Sequence, residues 1–228
     1  MSFTFDPYKV VNADICKADD VLMTNPTALQ ELEGYWRSLP KVQGVPERKN
    51  VDPSAMGNLL EDSFILERVA PGVARVRVAG RNIGKLIGVE PRGLPVTSFF
   101  TPESRTAISG YLEMVFNGPK ILEIPLASPR STGKPALDGK ILLLPLRDDH
   151  GHVNRVLGVL VMSGRRGIGP RRFEISEGIS PRIDQIGMLR AVETVRQPRG
   201  MNLHPNADQM PLKKAESRPT LRLVVSNP

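Results

Sequence analysis

The sequence predicts an α+β fold: an antiparallel sheet of about five strands with short helices on one face, preceded by a covering helix and followed by a basic tail. Two observations support this class. Apolar residues first recur at helical spacing, and the spacing then changes to the alternation that is typical of strands. The strand-like segments are neighbours joined by short turn sequences, which is the arrangement that antiparallel pairing favours.

The first element is an amphipathic helix in the segment NPTALQELEGYWRSLP. Asn25 can cap its N-terminus, Pro26 suits its first turn, and Pro40 ends it. The apolar face is made by residues at helical spacing: Leu29, Leu32, Trp36 and Leu39.

A short helix and a hairpin come next. Asp52 is a suitable cap and Pro53 a suitable first residue for a helical turn. The segments DSFILERV and GVARVRVAG then predict two strands, joined by a turn at residues 70–72. Arginine and valine alternate in the second strand, so we expect one of its faces to be apolar.

Helices separate this hairpin from the remaining strands. Glycines recur too often in RNIGKLIGVEPRGLPVTSFF for one long helix, and we expect short helical turns there. Thr101 then caps a longer helix that Gly118 ends. Three further strand segments complete the domain: KILEIPLAS, GKILLLPLRD and HVNRVLGVLVM.

An acidic, histidine-bearing sequence joins the last two strands. Asp148, Asp149, His150 and Gly151 supply the short polar side chains and the glycine that a tight connection needs. His150 and His152 could in principle bind a metal with these carboxylates, but a turn lacks the surrounding hydrogen bonds that fix metal ligands. We therefore predict a turn and no metal site.

Composition limits the class of protein. The 228 residues suffice for one domain of ordinary size with residues left over for tails. The single cysteine, Cys16, excludes an intramolecular disulfide and a cysteine-rich zinc site. There is no apolar stretch of membrane-spanning length, and the start is acidic, unlike a secretion leader. We expect a cytoplasmic protein with a flexible N-terminus over residues 1–24 and a folded domain over residues 25–165.

The net charge of +7 is concentrated near the C-terminus. Residues 1–163 carry 19 Lys and Arg against 18 Asp and Glu, whereas residues 164–228 carry 12 against 6. Pro and Gly interrupt this part and aromatic residues are scarce, which predicts a largely disordered basic tail over residues 166–228. We interpret the charge as that of a solubilising tail, which argues against nucleic acid as a partner.

Three stretches resemble a PAS domain. They are the hairpin that ends in VRVAG, the helix that runs into FNGP, and the strand pair LLLPLRDDHGHVNRVLGVLVM. The segments YWRSLP, FILERV and AGRNIGKLIGVEPRG are similar to a bacterial PAS family known as a domain of unknown function. The resemblance covers roughly residues 30–165 and implies a sensory or regulatory module that commonly dimerises.

The sequence argues against three prosthetic groups that the resemblance brings into question. The helix Pro102–Asn117 contains no histidine to serve as the usual axial ligand of a haem-binding PAS pocket. A flavin photosensor or a thioester-linked chromophore needs a cysteine within the domain, and Cys16 precedes it.

The carboxylates and histidines fall in turns, caps and the tail, where they form no buried acid–base pair. We therefore predict no haem, no flavin, no thioester-linked chromophore and no enzymatic activity.

The resemblance also implies an apolar space between the sheet and the helices, with a filled core as the alternative. Arg81 and Asn82 are the polar residues best placed to orient a ligand there. The apolar lining is expected from alternating strand positions and from the helical side: Phe64, Leu66, Val76, Val78, Phe99, Tyr111, Val115, Leu122 and Ile124.

Two segments are predicted to form interfaces. Residues 141–144 are apolar in both registers, so both faces of the sheet need a cover. We expect the first helix to cover the outer face, within its own subunit or across a homodimer, through Leu29, Leu32 and Trp36. The other segment is a strand at residues 220–226 that adds to a sheet edge of this protein or of a partner through Leu221, Leu223 and Val225.

The function expected from these observations is a bacterial cytoplasmic signalling module. It would act through contact with a second copy of itself or another signalling protein, and a small apolar ligand would gate that contact. One alternative is a cyclic-dinucleotide receptor that uses Asp52 to Gly57 and the basic tail, because DPSAMG matches half of a known binding pattern but lacks its arginine-rich half. A second alternative is a small α+β enzyme that uses the same pocket.

Overall fold

The computed structural model of the chain describes residues 21–23 and 27–187. The α-helices in these residues are α1 Ala28–Ser38, α2 Arg81–Ile87 and α3 Pro102–Asn117. Short 3-10 helices span Arg48–Asn50, Pro53–Glu61 and Val96–Phe99. The strands are β1 Val21–Met23, β2 Lys41–Val42, β3 Val45–Pro46, β4 Ser63–Ala70, β5 Val73–Ala79, β6 Lys120–Ser128, β7 Leu137–Arg147, β8 Val153–Arg165, β9 Glu174–Ile175 and β10 Arg182–Gln185. The α+β class and the predicted order of the main elements are confirmed.

The main sheet is antiparallel and has the strand order β10-β6-β7-β8-β4-β5. Its five long strands, β4 to β8, are the five that the sequence predicts. Short strands that the sequence did not indicate add to this sheet, because β1 pairs with β8 and β9 pairs with β6. In the centre, Phe64 of β4 pairs with Gly158 of β8, and the Phe64 ring lies directly over that glycine.

The inner face of the sheet packs against α2 and α3. Side chains from both layers form one buried cluster, to which Leu66, Val76 and Leu122 contribute from the strands and Ile83 and Val115 from the helices. Each of these five side chains is completely buried. Apolar burial on this scale, worth about 1.5–3 kcal/mol per large side chain, is the main source of stability on this side.

The outer face is covered by α1 and the 3-10 helix Pro53–Glu61. Leu32 and Trp36 of α1 are 0% and 1% exposed, and Leu29 is also buried. They pack with apolar residues of β7 and β8, and the Trp36 indole Nε1 donates a hydrogen bond to the Pro145 carbonyl at 2.9 Å. The helix therefore covers the sheet of its own chain. Leu29, Leu32 and Trp36 are core residues of this chain, as in the first of the two predicted arrangements, and their role at a homodimer interface stays a prediction.

The folded region extends beyond residue 165, where the sequence placed the start of a largely disordered tail. The Phe173 side chain is fully buried and its ring meets the Phe100 ring edge-on at 6.3 Å between centroids. Strands β9 and β10 both pair with β6. Arg182 forms ion pairs with Glu33 and Glu123. Charge and Pro/Gly content predicted disorder, but Arg182 is paired with carboxylates and the short strands pair with the edge of the sheet.

The rest of the C-terminal segment, from residue 188, lies outside the described residues, together with Cys16 and residues 1–20. The strand predicted at residues 220–226, with Leu221, Leu223 and Val225, therefore stays a prediction. No helix within residues 27–187 is long and apolar enough to cross a membrane.

Candidate functional site

The predicted inner lining is largely brought together by the fold. Seven of the nine apolar residues belong to the buried inner cluster and are at most 2% exposed: Phe64, Leu66, Val76, Phe99, Val115, Leu122 and Ile124. Tyr111 is partly buried and packs against the same cluster. Their burial is that of ordinary core residues, as in the alternative of a filled core. A ligand among them stays a prediction.

Val78 is the exception, because it lies on the opposite face of the sheet and is 55% exposed. Ile65 pairs with Val78 and Leu66 pairs with Val76, so Arg77 is an extra residue in β5. Such a β-bulge interrupts the alternation of side chains between the two faces. The expectation that Val78 shares a face with Val76 was wrong for this reason.

Arg81 and Asn82 fasten the start of α2 to the turn before β4. The Arg81 guanidinium lies 2.6 Å from a carboxylate oxygen of Glu61, and its side chain is 67% exposed. The Asn82 Nδ2 donates to Oδ1 of Asp62 at 2.9 Å. These contacts account for both polar side chains without a ligand in the inner core.

Asp62 is an acidic residue whose surroundings disfavour its ionised form. Burial raises its pKa above the ordinary value of 3.8, the hydrogen bond from Asn82 lowers it, and the charge of Glu61 raises it further, with a net rise. The folded protein therefore disfavours the ionised carboxylate at neutral pH. As the pH falls through the raised pKa, the carboxyl group binds a proton and the fold becomes more stable relative to the unfolded chain.

We expect Asp62→Asn to raise the melting temperature at neutral pH, because the amide has no charge to desolvate and its oxygen still accepts from Asn82. The difference from wild type should shrink as the pH is lowered through the raised pKa, where the wild-type carboxyl group is neutral as well. Thermal denaturation from neutral to mildly acidic pH measures this, with the exposed Asp149→Asn as control. A variant less stable than wild type at every pH would contradict the prediction.

The histidine-bearing connection between β7 and β8 is a turn, as predicted. Asp148 Oδ1 accepts from the backbone N–H groups of His150 and His152, both at 2.9 Å, and Asn154 donates to Oδ2 at 2.6 Å. Burial raises the pKa of Asp148, but these hydrogen bonds outweigh it and hold the pKa below the ordinary value. Gly151 adopts a φ of 82°. The Asp148 carboxylate therefore stabilises the turn through these three hydrogen bonds.

Asp52 has the structural role that the sequence predicted for it. Its Oδ1 accepts from the Ser54 backbone N–H at 2.9 Å and so caps the helix Pro53–Glu61. Its own backbone N–H donates to the Tyr35 hydroxyl at 2.7 Å, which ties the cap to α1. The string from Asp52 to Gly57 thus joins two parts of the outer cover.

An open groove lies on the outer face, beside this cover. We call it the outer groove; its cavity volume is about 300 Å³. Its floor is a row of three side chains across neighbouring strands, because Ile65 of β4 pairs with both Leu157 of β8 and Val78 of β5. Its wall is the helix Pro53–Glu61, which contributes Met56 and Leu60. The groove is apolar and partly exposed, since Leu60 is 40% exposed.

Gly80 allows the wall to approach the sheet. Its backbone N–H donates to the Ser63 carbonyl at 2.8 Å, and a Cβ at this position would lie closer than 3.0 Å to the carbonyl oxygens of Leu60 and Glu61. Only glycine leaves room for this contact between backbones. The groove has this form because Gly80, which directly follows β5, has no side chain.

A charged row borders the floor of the outer groove. Glu67, two residues beyond Ile65 on β4, forms ion pairs with Arg155 of β8 and Arg77 of β5. Arg48 lines the groove itself. Arg48, Arg77 and Arg155 therefore place positive charge at this end, where Glu67 is paired with Arg77 and Arg155.

The outer groove was not predicted from the sequence. Its main residues, Arg48, Met56, Leu60, Ile65 and Leu157, were not among the predicted site residues. One signal was available, because β4 is apolar at three consecutive positions and Ile65 must face away from its two neighbours. The bulge that brings Val78 to the same side has no signature in the alternating sequence RVRVAG.

The arrangement defines a class of α+β module in which helices cover both faces of one antiparallel sheet. A profile of the PAS domain family matches residues 23–161, more than half of the chain. The chain belongs to the PAS domain family. Among curated proteins, no significant match to its sequence was found.

Solved structures with a similar fold include light-oxygen-voltage domains. The light-state structure of the blue-light photoreceptor Aureochrome1 LOV is 18% identical, and the match covers 50% of this chain and 90% of that chain with a TM-score of 0.37. An RNA-binding light-oxygen-voltage receptor is 19% identical, with 54% of this chain and 37% of that chain covered and a TM-score of 0.35.

Proposed function

We propose that this chain is a non-enzymatic sensory module of a bacterial cytoplasmic signalling system. Its input is a small apolar ligand in the outer groove, and its output is protein contact, first of all with a second copy of the chain. The single observation that carries the proposal is the groove itself: a concave apolar site of about 300 Å³ on the outer face of the sheet. Ligand sites in proteins begin at about this size.

The acidic side chains near the groove support a binding role over catalysis. Glu67 lies between two arginines, Asp52 caps a helix, and Glu61 is paired with Arg81. A general base needs a carboxylate that is available to a substrate. Within residues 27–187, moreover, no group of three or more His, Cys, Asp or Glu residues is placed to hold a metal ion.

We do not propose flavin as the ligand of this chain. The inner-face side chains that would surround such a group pack against one another as a buried cluster. The cysteine that a flavin photosensor of this fold uses is also missing from the domain, because the single cysteine of the chain is Cys16. The residues present therefore do not fit a flavin–cysteine photosensor.

The ligand input can be tested with decan-1-ol as an apolar probe. We expect titration into the isotopically labelled full chain to shift the backbone amide signals of Ile65, Val78 and Leu157. Val78→Gln places a polar amide on the groove floor and should abolish these shifts. Val69→Gln is the matched control, because Val69 is similarly exposed, at 45%, on the same hairpin but does not line the groove. Shifts confined to other residues would refute the input.

The output is tested by sedimentation velocity of the same chain with and without saturating decan-1-ol. We expect the monomer–dimer equilibrium to change on binding, since a ligand that favours one of two states shifts their populations. Val78→Gln should be insensitive to the probe. A distribution that is identical with and without bound probe would contradict the proposed output and leave the groove as a binding site alone.

A further inference from the structure

We infer that the outer groove recognises an amphipathic ligand with one anionic head group, of the class of medium-chain carboxylates, and that Arg48 binds the head group. The inference rests on the proposed function, because it names the ligand class for the same groove. Its basis is the combination of an apolar floor with a guanidinium that none of the carboxylates in the described residues neutralises.

Arg48 differs from the cations around it. Lys49 lies 3.1 Å from Glu47, Arg81 is paired with Glu61, and both Arg77 and Arg155 are paired with Glu67. Within the described part of the chain, the Arg48 side chain makes no ion pair or hydrogen bond, although it is partly buried where it lines the groove. Guanidinium groups bind carboxylates through two parallel hydrogen bonds, so an unpaired one beside an apolar surface is suited to a carboxylate ligand.

The nearby arginine strengthens this preference. Burial lowers the pKa of Arg155, and the positive charge of Arg48 lowers it further. The two guanidinium groups therefore lie close enough to repel each other, and Glu67 is paired with Arg77 and Arg155 but not with Arg48. An anion bound at Arg48 would relieve this repulsion, whereas a cationic head group would add to it.

Among the described residues that line the groove, a guanidinium without an ion pair lies at one end only, which fixes the direction of the ligand. The row that contains Glu67 and Arg155 lies two residues, or about 7 Å, along β4 from the row that contains Ile65. The opposite end is formed at Gly80, next to Glu61 and Asp62. The head group therefore lies at the Arg48 end, and the tail lies over Ile65, between Leu157 and Val78.

The size of the groove limits the tail. A volume of about 300 Å³ is at the lower end of the range for small-molecule sites. The exposed edge at Leu60 and Val78 leaves one side of the tail in contact with solvent. These features fit a single chain of medium length better than a fused-ring or two-chain lipid.

Calorimetric titration of the full chain with three probes of equal chain length tests the inference. The probes are decanoate, decan-1-ol and decyltrimethylammonium, each used below its micelle-forming concentration. We expect decanoate to bind about tenfold or more tightly than decan-1-ol, because a charge-assisted hydrogen bond adds to the same apolar contact. The ammonium probe should bind most weakly, since its charge has the same sign as Arg48.

Substitutions assign the effect to Arg48. Arg48→Met keeps an apolar stem and should reduce decanoate affinity about tenfold or more while leaving decan-1-ol affinity unchanged. Arg48→Lys should recover part of the loss. Lys49→Met is the matched control, because it removes the neighbouring charge from a side chain that does not line the groove; it should bind decanoate like wild type. An amide spectrum of each variant verifies that it is folded.

The outcomes separate this inference from the proposed function. Equal affinity for decanoate and decan-1-ol, or an equal loss of both in Arg48→Met, would overturn the head-group assignment and leave the apolar groove intact. Failure of all three probes to bind would overturn the groove as an input site. An equal loss of decanoate affinity in Lys49→Met and Arg48→Met would indicate general attraction to positive charge and would also overturn the role of Arg48.

Discussion

Trp36→Ala is expected to destabilise the protein by about 4 kcal/mol or more, the range measured for truncation of large buried aromatic residues. The Trp36 side chain is 1% exposed at the centre of the contact between α1 and the sheet. Its removal leaves a cavity among apolar residues that the fixed strands β7 and β8 cannot fill. It also leaves the buried Pro145 carbonyl without the indole N–H that donates to it. Urea denaturation followed by circular dichroism measures the change.

Trp36→Phe separates the two contributions. The phenyl ring fills most of the volume but has no N–H, so we expect a smaller loss that reflects the unpaired carbonyl, about 1–3 kcal/mol, and the lost ring volume. Because α1 covers the sheet of its own chain, the loss in Trp36→Ala should not depend on protein concentration. A loss that disappears at high protein concentration would contradict this arrangement and indicate that the helix covers a partner.

Gly80→Ala is expected to cost roughly 3 kcal/mol or more, because the added methyl group meets backbone atoms that cannot rotate away. The Cβ would lie closer than 3.0 Å to the carbonyl oxygens of Leu60 and Glu61. To relieve the clash, the helix Pro53–Glu61 must move away from β5 and the outer groove must widen. We expect both a lower melting temperature and altered amide signals at Met56 and Leu60.

Gly34→Ala is the matched control, because Gly34 lies within α1 and a Cβ there would meet nothing within 4 Å. Alanine is favoured over glycine inside a helix by about 0.5–1 kcal/mol, so this variant should be slightly more stable than wild type. If Gly80→Ala were as stable as Gly34→Ala, the close approach of the wall to β5 would not be a fixed feature of the fold.

The central part of the fold could be predicted from the sequence because its signals are local. The β4–β5 hairpin follows from strand-forming residues before Ala70-Pro71-Gly72 and alternating residues after it, and the turn at residues 148–151 follows from its acidic residues and glycine. The position of α1 follows from helical spacing between two prolines. Each of these depends on residues that are adjacent in the chain.

The outer groove and the ordered segment after residue 165 could not be predicted in this way. The bulge at Arg77 is defined only by the pairing of β5 with β4, and the approach of Gly80 to the backbone at residues 60–61 is a contact between separate parts of the chain. Among the residues that the structure describes, Arg48 is unpaired because of where their carboxylates lie in space, and composition gives no information on that. Residues 174–175 and 182–185 become strands because β6 offers an edge, although their own composition indicates disorder.

The seating of the Phe64 ring over Gly158 explains how strands with two apolar faces find their alignment. Where one face of a strand is apolar and the other polar, a shift of the pairing by one residue exposes the apolar side chains to solvent and lowers stability. Residues 64–66 and 141–144 carry no such penalty, because a slipped strand would still present apolar groups to both layers. A bulky ring that fits over one glycine, and over no residue with a side chain, restores the discrimination. The shape of this one pair of residues thus adds to the ion pair between Glu67 and Arg155 in setting the alignment of β4 with β8.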